Sequence, residues 1–362
     1  MPLPNEYNLR ITMGGLKKVN VVRRNIMRSL TRNIGVTNLE KDFKLKEKPE
    51  IKRILIIRPN KRLGNLLLIT PLLQEVNEAF PDCKIDIFVR GGLAPILFEN
   101  YSNVDRIIKL PGKPFKELIK YSLAWLSVKK KRYDMVINVV NSSSSGRLST
   151  KFATAKFKHF GDVSDKIKEM YTDSNHMAKY PVYNFRYFLS KLGYEKNDTP
   201  VPPLNLRLSD KELEQGKQIV KDIVKNDKKT IAIFTFATGD KCYKPEWWNP
   251  FYERLQSEYA NDYNIIEILP VENVSQIDFK APTYYSKEIR EIGGVMAACE
   301  VFIGADSGMM HLAAASLVPT IGLFSYTNPA TYGPYNKGSE SINTNNTTMD
   351  SWIESINKAL KA

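Results

Sequence analysis

Two successive runs of alternating strand-like and helix-like segments, parted by a proline-rich stretch, predict an α/β protein of two doubly wound domains. Short apolar, β-branched segments recur as candidates for buried parallel strands, and longer segments with helical character separate them. Residues 196–209, KNDTPVPPLNLRLS, hold three prolines and no helical period, which marks a linker. The 362 residues also exceed one ordinary core. The expected organisation is a basic N-terminal arm (1–49), a first Rossmann-like domain (50–200), a second (210–345) and a C-terminal helix (346–362).

In the arm, LKKVNVVRRNIMRSLTRNI (16–34) repeats Val22, Ile26, Leu30 and Ile34 at helical spacing, with Arg24, Arg28 and Arg32 stepping in parallel. Such a helix can lie in the headgroup region of an anionic leaflet or pack on its own domain, and both readings stay open. The first domain opens as a βαβ unit: IKRILIIRP is strand-like, NLLLITPLLQEVNEAF helix-like and CKIDIFVR strand-like. RIIKL (106–110) and DMVINVV (134–140) are further strands, and NSSSSGRLST reads as a polar loop. After the linker the pattern restarts. TIAIFTFA, NIIEILP, VFIGAD and TIGLFS are strand candidates, alternating with the helical PEWWNPFYERLQSEYA, IREIGGVMAACE and GMMHLAAASL.

Composition narrows the class. Hydrophobic residues at 43% and charged residues at 25% describe a folding globular chain, not a disordered or fibrous one. Cys83, Cys242 and Cys299 are widely separated and lack metal-ligand spacing, so neither a disulfide framework nor a zinc site is expected, and a reducing compartment fits. No carboxylate pair is spaced like a metal-binding Asp-x-Asp motif, so no metal and no cofactor is expected. MPLPNEYNLRITMGG lacks the pattern of a secretory signal. The longest apolar stretch, Val301 to Phe324, is broken by Asp306, His311 and Pro319, which argues against a transmembrane helix. A cytoplasmic protein is expected, peripheral on the inner membrane if the arm binds lipid. The net charge of +14 suits nucleic acid, anionic lipid or phosphorylated substrates, or serves solubility alone. Nucleic acid is disfavoured, because the basic residues are not interleaved with an aromatic stacking platform.

GADSGMMHLAAA (304–315) carries the chemistry. Asp306 and Ser307 stand at the end of a predicted strand, Gly308 permits close backbone approach, and the following helix begins with unsatisfied N–H groups. Those donors and the positive end of the helix dipole suit a diphosphate, in the cleft where open α/β sheets bind ligands. His311 falls about one helical turn later. The plain alternative is a helix cap followed by a satisfied core histidine.

FIGADSGMMHLAAASLVPTIGLFSYTNPATYGPY resembles the C-terminal signature of glycosyltransferase family 9, the ADP-heptose lipopolysaccharide heptosyltransferases. ILIIRPNKRLGNLLLITPLLQEVNEAFPDCKIDIFV is similar to that family's N-terminal opening, and the resemblance runs in order over residues 52–336. It implies a GT-B fold, two Rossmann-like domains facing a central cleft, and inverting sugar transfer. The donor it implies is a nucleotide-diphosphate sugar, ADP-linked, and the acceptor a lipopolysaccharide core or other surface glycan. FATGDKCYKPEWW is similar to the family loop in which a lysine precedes an aromatic residue, here Lys241 and Tyr243. By this carry-over Lys241 neutralises the departing diphosphate, Thr238, Ser307 and Gly308 meet phosphate oxygens, and Asp306 and His311 hold the nucleotide sugar or orient its surroundings.

One position departs from the family. Where the family has an aspartate after Leu-Gly as general base, this chain has Asn65, and an amide cannot take a proton at neutral pH. Three readings follow: Asp240 supplies the base, proton removal matters less with this acceptor, or the chain only binds a sugar nucleotide. A GT-B enzyme of other chemistry, such as an epimerase, is a further alternative. The acceptor is expected at NSSSSGRLSTKFATAKFKHF, a basic loop in which Arg147 and Lys151 suit a phosphorylated glycolipid.

Overall fold

The computed structural model describes residues 25, 29–31, 33–37, 45, 47–111, 117–162 and 164–362. Residues 16–24, 26–28 and 32 of the expected arm helix lie outside the described residues. So the structure does not address the lipid-binding reading of that helix.

Two parallel sheets organise the chain. The first contains β1 (Arg53–Arg58), β2 (Lys84–Arg90), β3 (Val104–Leu110), β4 (Arg132–Asn138) and β5 (Thr154–His159), in the order β3-β2-β1-β4-β5. The second contains β6 (Lys229–Phe234), β7 (Tyr263–Ile268), β8 (Thr283–Tyr284), β9 (Val301–Ala305), β10 (Thr320–Phe324) and β11 (Glu340–Asn343), in the order β11-β10-β9-β6-β7-β8. The central strands are buried along nearly their whole length, as strands covered by helices on both faces must be. In each sheet the winding reverses once, between β1 and β4 and between β6 and β9. Loops leaving the carboxyl ends of those pairs splay apart and make a ligand crevice.

Three expectations are corrected. NSSSSGRLST is not a loop. Ser143 caps a helix, Ser144–Phe152, by accepting from the Gly146 amide at 3.1 Å. The expected basic loop at 151–160 is mostly β5, whose charged residues alternate with inward ones because it lies at the sheet edge. The single helix expected from residue 65 is two, Leu63–Leu67 and Thr70–Ala79, and Pro71 starts the second where its missing N–H costs nothing.

The halves share one apolar core that runs from Ile54 and Leu66 through Leu206 to Phe302 and Leu312. The linker is pinned to both sides: the Tyr101 hydroxyl donates to the Asn205 carbonyl at 2.6 Å, and the Leu206 amide donates to Ala315 at 2.7 Å. At the seam the helices Leu63–Leu67 and Gly308–Ala315 lie against each other. A Cβ on Gly64 would stand 2.5 Å from Cδ2 of His311, so only glycine admits the imidazole there.

Candidate active site

Asp306 follows β9 directly and is buried. Its Oδ2 accepts from the Lys241 ammonium and from the Thr327 hydroxyl, which joins the loops after β6, β9 and β10. Lys241 closes the one-turn 3-10 helix Gly239–Lys241, and its ammonium also lies 5.8 Å from the centre of the Tyr332 ring. A carboxylate with two donors holds the cation in place while leaving its remaining N–H groups for a ligand. Ser307 caps the helix Gly308–Ala315 by accepting from the Met310 amide at 3.3 Å.

Thr238, Ser307 and Gly308 line a cavity of about 450 Å³ whose other walls are largely apolar, among them Phe234, Phe236, Leu269 and Val271. Apolar walls with a few convergent polar groups suit a flat heterocycle carrying a polar tail. Asp240 is exposed and makes no hydrogen bond or ion pair among the described residues. His311 is buried on the far side of the helix start. Burial pushes its imidazole down to about 4, Asp306 pulls the other way, and His176 and Lys241 lower it further. It is therefore neutral at pH 7 and fills the seam against Gly64.

Across the seam, Asn65 is half-buried and its Oδ1 accepts from Arg58 Nη2 at 2.6 Å. Arg58 Nε donates to the Asn65 carbonyl at 3.3 Å. This guanidinium, the last residue of β1, is buried, and no carboxylate pairs with it among the described residues. The titratable groups acting on it are Tyr180 and Tyr332, and burial lowers its pKa from the usual arginine value. A buried cation paired only with a neutral amide retains a whole charge for a ligand to balance.

Tyr180 and Tyr332 also line the larger cavity, about 740 Å³, with Asn141, Ser142, Arg147, Lys168 and Ser174. Its walls are more polar. Arg147 is committed elsewhere: it is buried, pairs with Asp162 at 2.9 Å, and donates to Asn141 and to the Gly35 carbonyl. It thereby clamps the end of the arm, where the Thr31 hydroxyl donates to Ser144 at 2.8 Å and the Thr37 amide to Asp162 at 2.7 Å. Ser29 and Thr31 of the arm contribute to the cavity wall. Lys151 is exposed and is not among the residues lining this cavity. A loop at 172–180 bridges the halves through the His176 Nε2–H, which donates to Gly333 at 2.9 Å, and the Met177 amide, which donates to Thr331 at 3.0 Å.

Thus the structure gathers Lys241, Asp306, Ser307, Gly308 and Thr238 at one head of the cleft, and places Asn65 and Arg147 in the other half. Thr327 was not singled out from sequence, although it stands in the TNP run (327–329) of the segment that carries the resemblance. Arg58 and Tyr332 carried no signal beyond their residue types. Among the described residues no group of three or more His, Cys, Asp or Glu is placed to hold a metal ion. No helix among them is long and apolar enough to cross a membrane.

Two doubly wound domains that meet at a crevice give the chain a GT-B fold. The fold matches the crystal structure of the glycosyl transferase family 9 from Veillonella parvula (TM-score 0.64, 20% identity, 87% of this chain and 90% of that one). It also matches E. coli heptosyltransferase WaaC with ADP (TM-score 0.61, 18% identity, 85% and 99%). The chain is 24% identical to lipopolysaccharide heptosyltransferase 1 of Salmonella typhimurium over 79% of its own length and 92% of that relative. A family model described as glycosyltransferase family 9 (heptosyltransferase) matches residues 287–359. The chain is thus similar to the heptosyltransferases of glycosyltransferase family 9, by the family model at its C-terminal end and by these relatives over most of its length.

Proposed function

We propose that the protein transfers a sugar, heptose or a close relative, from an ADP-linked donor to a lipopolysaccharide core or related surface glycan, with inversion at the transferred carbon. The observation that carries this reading is the Lys241–Asp306–Thr327 cluster at the head of the helix Gly308–Ala315, beside an apolar cavity. The nucleotide base enters that cavity. The diphosphate meets the Lys241 ammonium, the Ser307 region and the positive helix end, which together offset the charge that grows as the sugar–oxygen bond breaks. The names of the curated relatives support the sugar and the acceptor class.

The acceptor occupies the polar cavity of the first half, and the Arg58 guanidinium, which Tyr180 and Tyr332 of the cavity wall act on, draws an anionic group of it, a phosphate or a sugar carboxylate. Its hydroxyl attacks the anomeric carbon from the face opposite the diphosphate, and its proton leaves to a carboxylate. Asn65 is committed to Arg58 and cannot serve. Asp240, exposed and unpaired beside Lys241, is the proposed acceptor of that proton.

Calorimetric titration with ADP, UDP and GDP, followed by turnover with ADP-heptose and a heptose-free lipopolysaccharide, tests the reading. We expect ADP to bind best, and Lys241→Ala and Asp306→Ala each to lower affinity or turnover at least about tenfold, as for loss of one charge-assisted contact. Unchanged affinity and rate in both variants would remove the site. Tight nucleotide binding without transfer to any acceptor would leave a binder.

A further inference from the structure

The helix Leu118–Lys130, which follows β3, leaves four large aliphatic side chains in solvent: Leu118 is 60% exposed, Ile119 78%, Leu123 58% and Leu126 59%. Ile119, Leu123 and Leu126 fall at i, i+4 and i+7 and share one face. Single exposed leucines are ordinary, but a stripe of them on one helix marks a surface that something covers. The opposite face is spent on the protein, with Ala124 and Val128 buried beside Ile108 and Leu110.

The surroundings say what covers the stripe. Lys120 and, at the last turn, Lys129 and Lys130 flank it and are exposed, and Glu117 is the one acid of the segment, paired with Lys120 at 3.1 Å. A groove of about 450 Å³ beside the helix is lined by Lys109, Lys120 and Leu123 together with Arg106, whose own charge is balanced by Asp86 at 2.8 Å. Cations around an apolar stripe match an anionic bilayer, with lysines at the headgroups and aliphatic side chains among the upper acyl carbons. The net charge of +14 favours approach to the same surface.

We propose that the helix Leu118–Lys130 docks the protein on an anionic lipid bilayer through Ile119, Leu123 and Leu126. Position gives the contact a use. Trp125 of this helix meets Phe152 edge-on at 5.7 Å, and Phe152 ends the helix that carries Arg147 and borders the polar cavity. Docking on this face sets the first half, with that cavity, beside the membrane, where the head of a glycolipid stands. The proposal rests on the glycan-acceptor reading only for its purpose; the binding itself is independent of it.

The test is co-sedimentation of the full chain with vesicles of phosphatidylglycerol and phosphatidylcholine, and with phosphatidylcholine alone. We expect binding to the anionic vesicles, at least about tenfold weaker on neutral ones and falling with salt. Ile119→Glu/Leu123→Glu should reduce it by at least about tenfold while ADP affinity, read by calorimetry, stays unchanged. Equal sedimentation of the double variant and the parent would overturn the proposal. So would a parent that is dimeric by light scattering and a double variant that is monomeric, because a second copy would then be the cover. Loss of ADP binding in the parent would refute the donor site and leave the vesicle result standing.

Discussion

The two cavities of the cleft solve recognition in opposite ways. The one at the second sheet is walled largely by Phe234, Phe236, Leu269 and Val271, with Ser307 and Gly308 at the helix start and Thr238, Glu272, Ser286 and Lys287 as its polar groups. The one at the first sheet is bounded by Asn141, Ser142, Arg147, Lys168 and Ser174 and extended by the arm. An apolar slot with a charged end selects for a flat ligand with a charged tail, as the proposed nucleotide diphosphate is. A polar basin specifies by its particular hydrogen-bond partners, and can be re-specified by changing few of them. The difference teaches that the two halves select by different means, one by shape and one by hydrogen-bond pattern.

Acid offers the largest effect, because it strikes the seam joining the cavities. The sequence contains 3 histidines, and His159, His176 and His311 are all buried. Burial is the first cause lowering each imidazole, and His159 and His311 are pushed down to about 4. In each the folded pKa lies below the unfolded one, so the fold favours the neutral ring. Stability is therefore whole above about pH 6.5 and is lost as pH falls toward 4, at up to about 1.4 kcal/mol per pH unit for each of His159 and His311, with His176 acting in the same direction. Glu212, held at about 2 chiefly by its hydrogen bond from Arg290, adds to the loss below its ordinary range. Melting temperature measured from pH 7.5 to 4.5 should drop steeply; a flat profile would mean that the rings are protonated in the fold.

Gly64→Val comes next and tests whether the cavities depend on one seam. Its Cβ would meet the His311 ring at 2.5 Å, and overpacking of this kind costs about 1–3 kcal/mol. Pushing the halves apart should cut turnover by about a hundredfold while the circular dichroism of both domains persists. Parent-like turnover would show that the seam does not set the cleft.

The smallest effect belongs to Asn65→Asp. The new carboxylate would lie where Oδ1 now accepts from Arg58 at 2.6 Å and would give that cation its missing partner. We expect the fold to gain about 1 kcal/mol and the KM for an anionic acceptor to rise about tenfold, with ADP affinity untouched. An unchanged acceptor KM would show that Arg58 does not read the acceptor.

The donor side was legible in sequence because its chemistry interrupts a hydrophobic pattern: Asp306, Ser307 and His311 stand out between VFIGA and the alanine-rich helix. The parallel strands were legible for the same reason, as apolar runs ended by turn residues. What escaped is set by partners distant in sequence. That Arg58 has no counterion among the described residues, and that Arg147 is spent on Asp162 and Gly35, depends on what surrounds each side chain, which no periodicity encodes. The helix Ser144–Phe152 hid in a serine run, where one hydroxyl is a cap and the others are not. The helix Leu118–Lys130 escaped because its aliphatic residues face both the core and solvent, which blurs the amphipathic signature.

The clamp on the arm also fixes an order of events during synthesis. Thr31 bonds to Ser144, 113 residues later in the chain, and Thr37 to Asp162, 125 residues later. At about 5–20 residues per second the arm leaves the ribosome on the order of ten seconds before its partners do. During that interval the Ser144 hydroxyl and the Asp162 carboxylate that they bond are not yet made, and the loop to be closed is long, although its entropy grows only slowly with length. The arm's share of the polar cavity, Ser29 and Thr31, is thus made well before the residues that hold the arm in place. A nascent chain stalled just before residue 162 would carry β1 to β5 but lack the Asp162 carboxylate that accepts from Thr37 and Arg147.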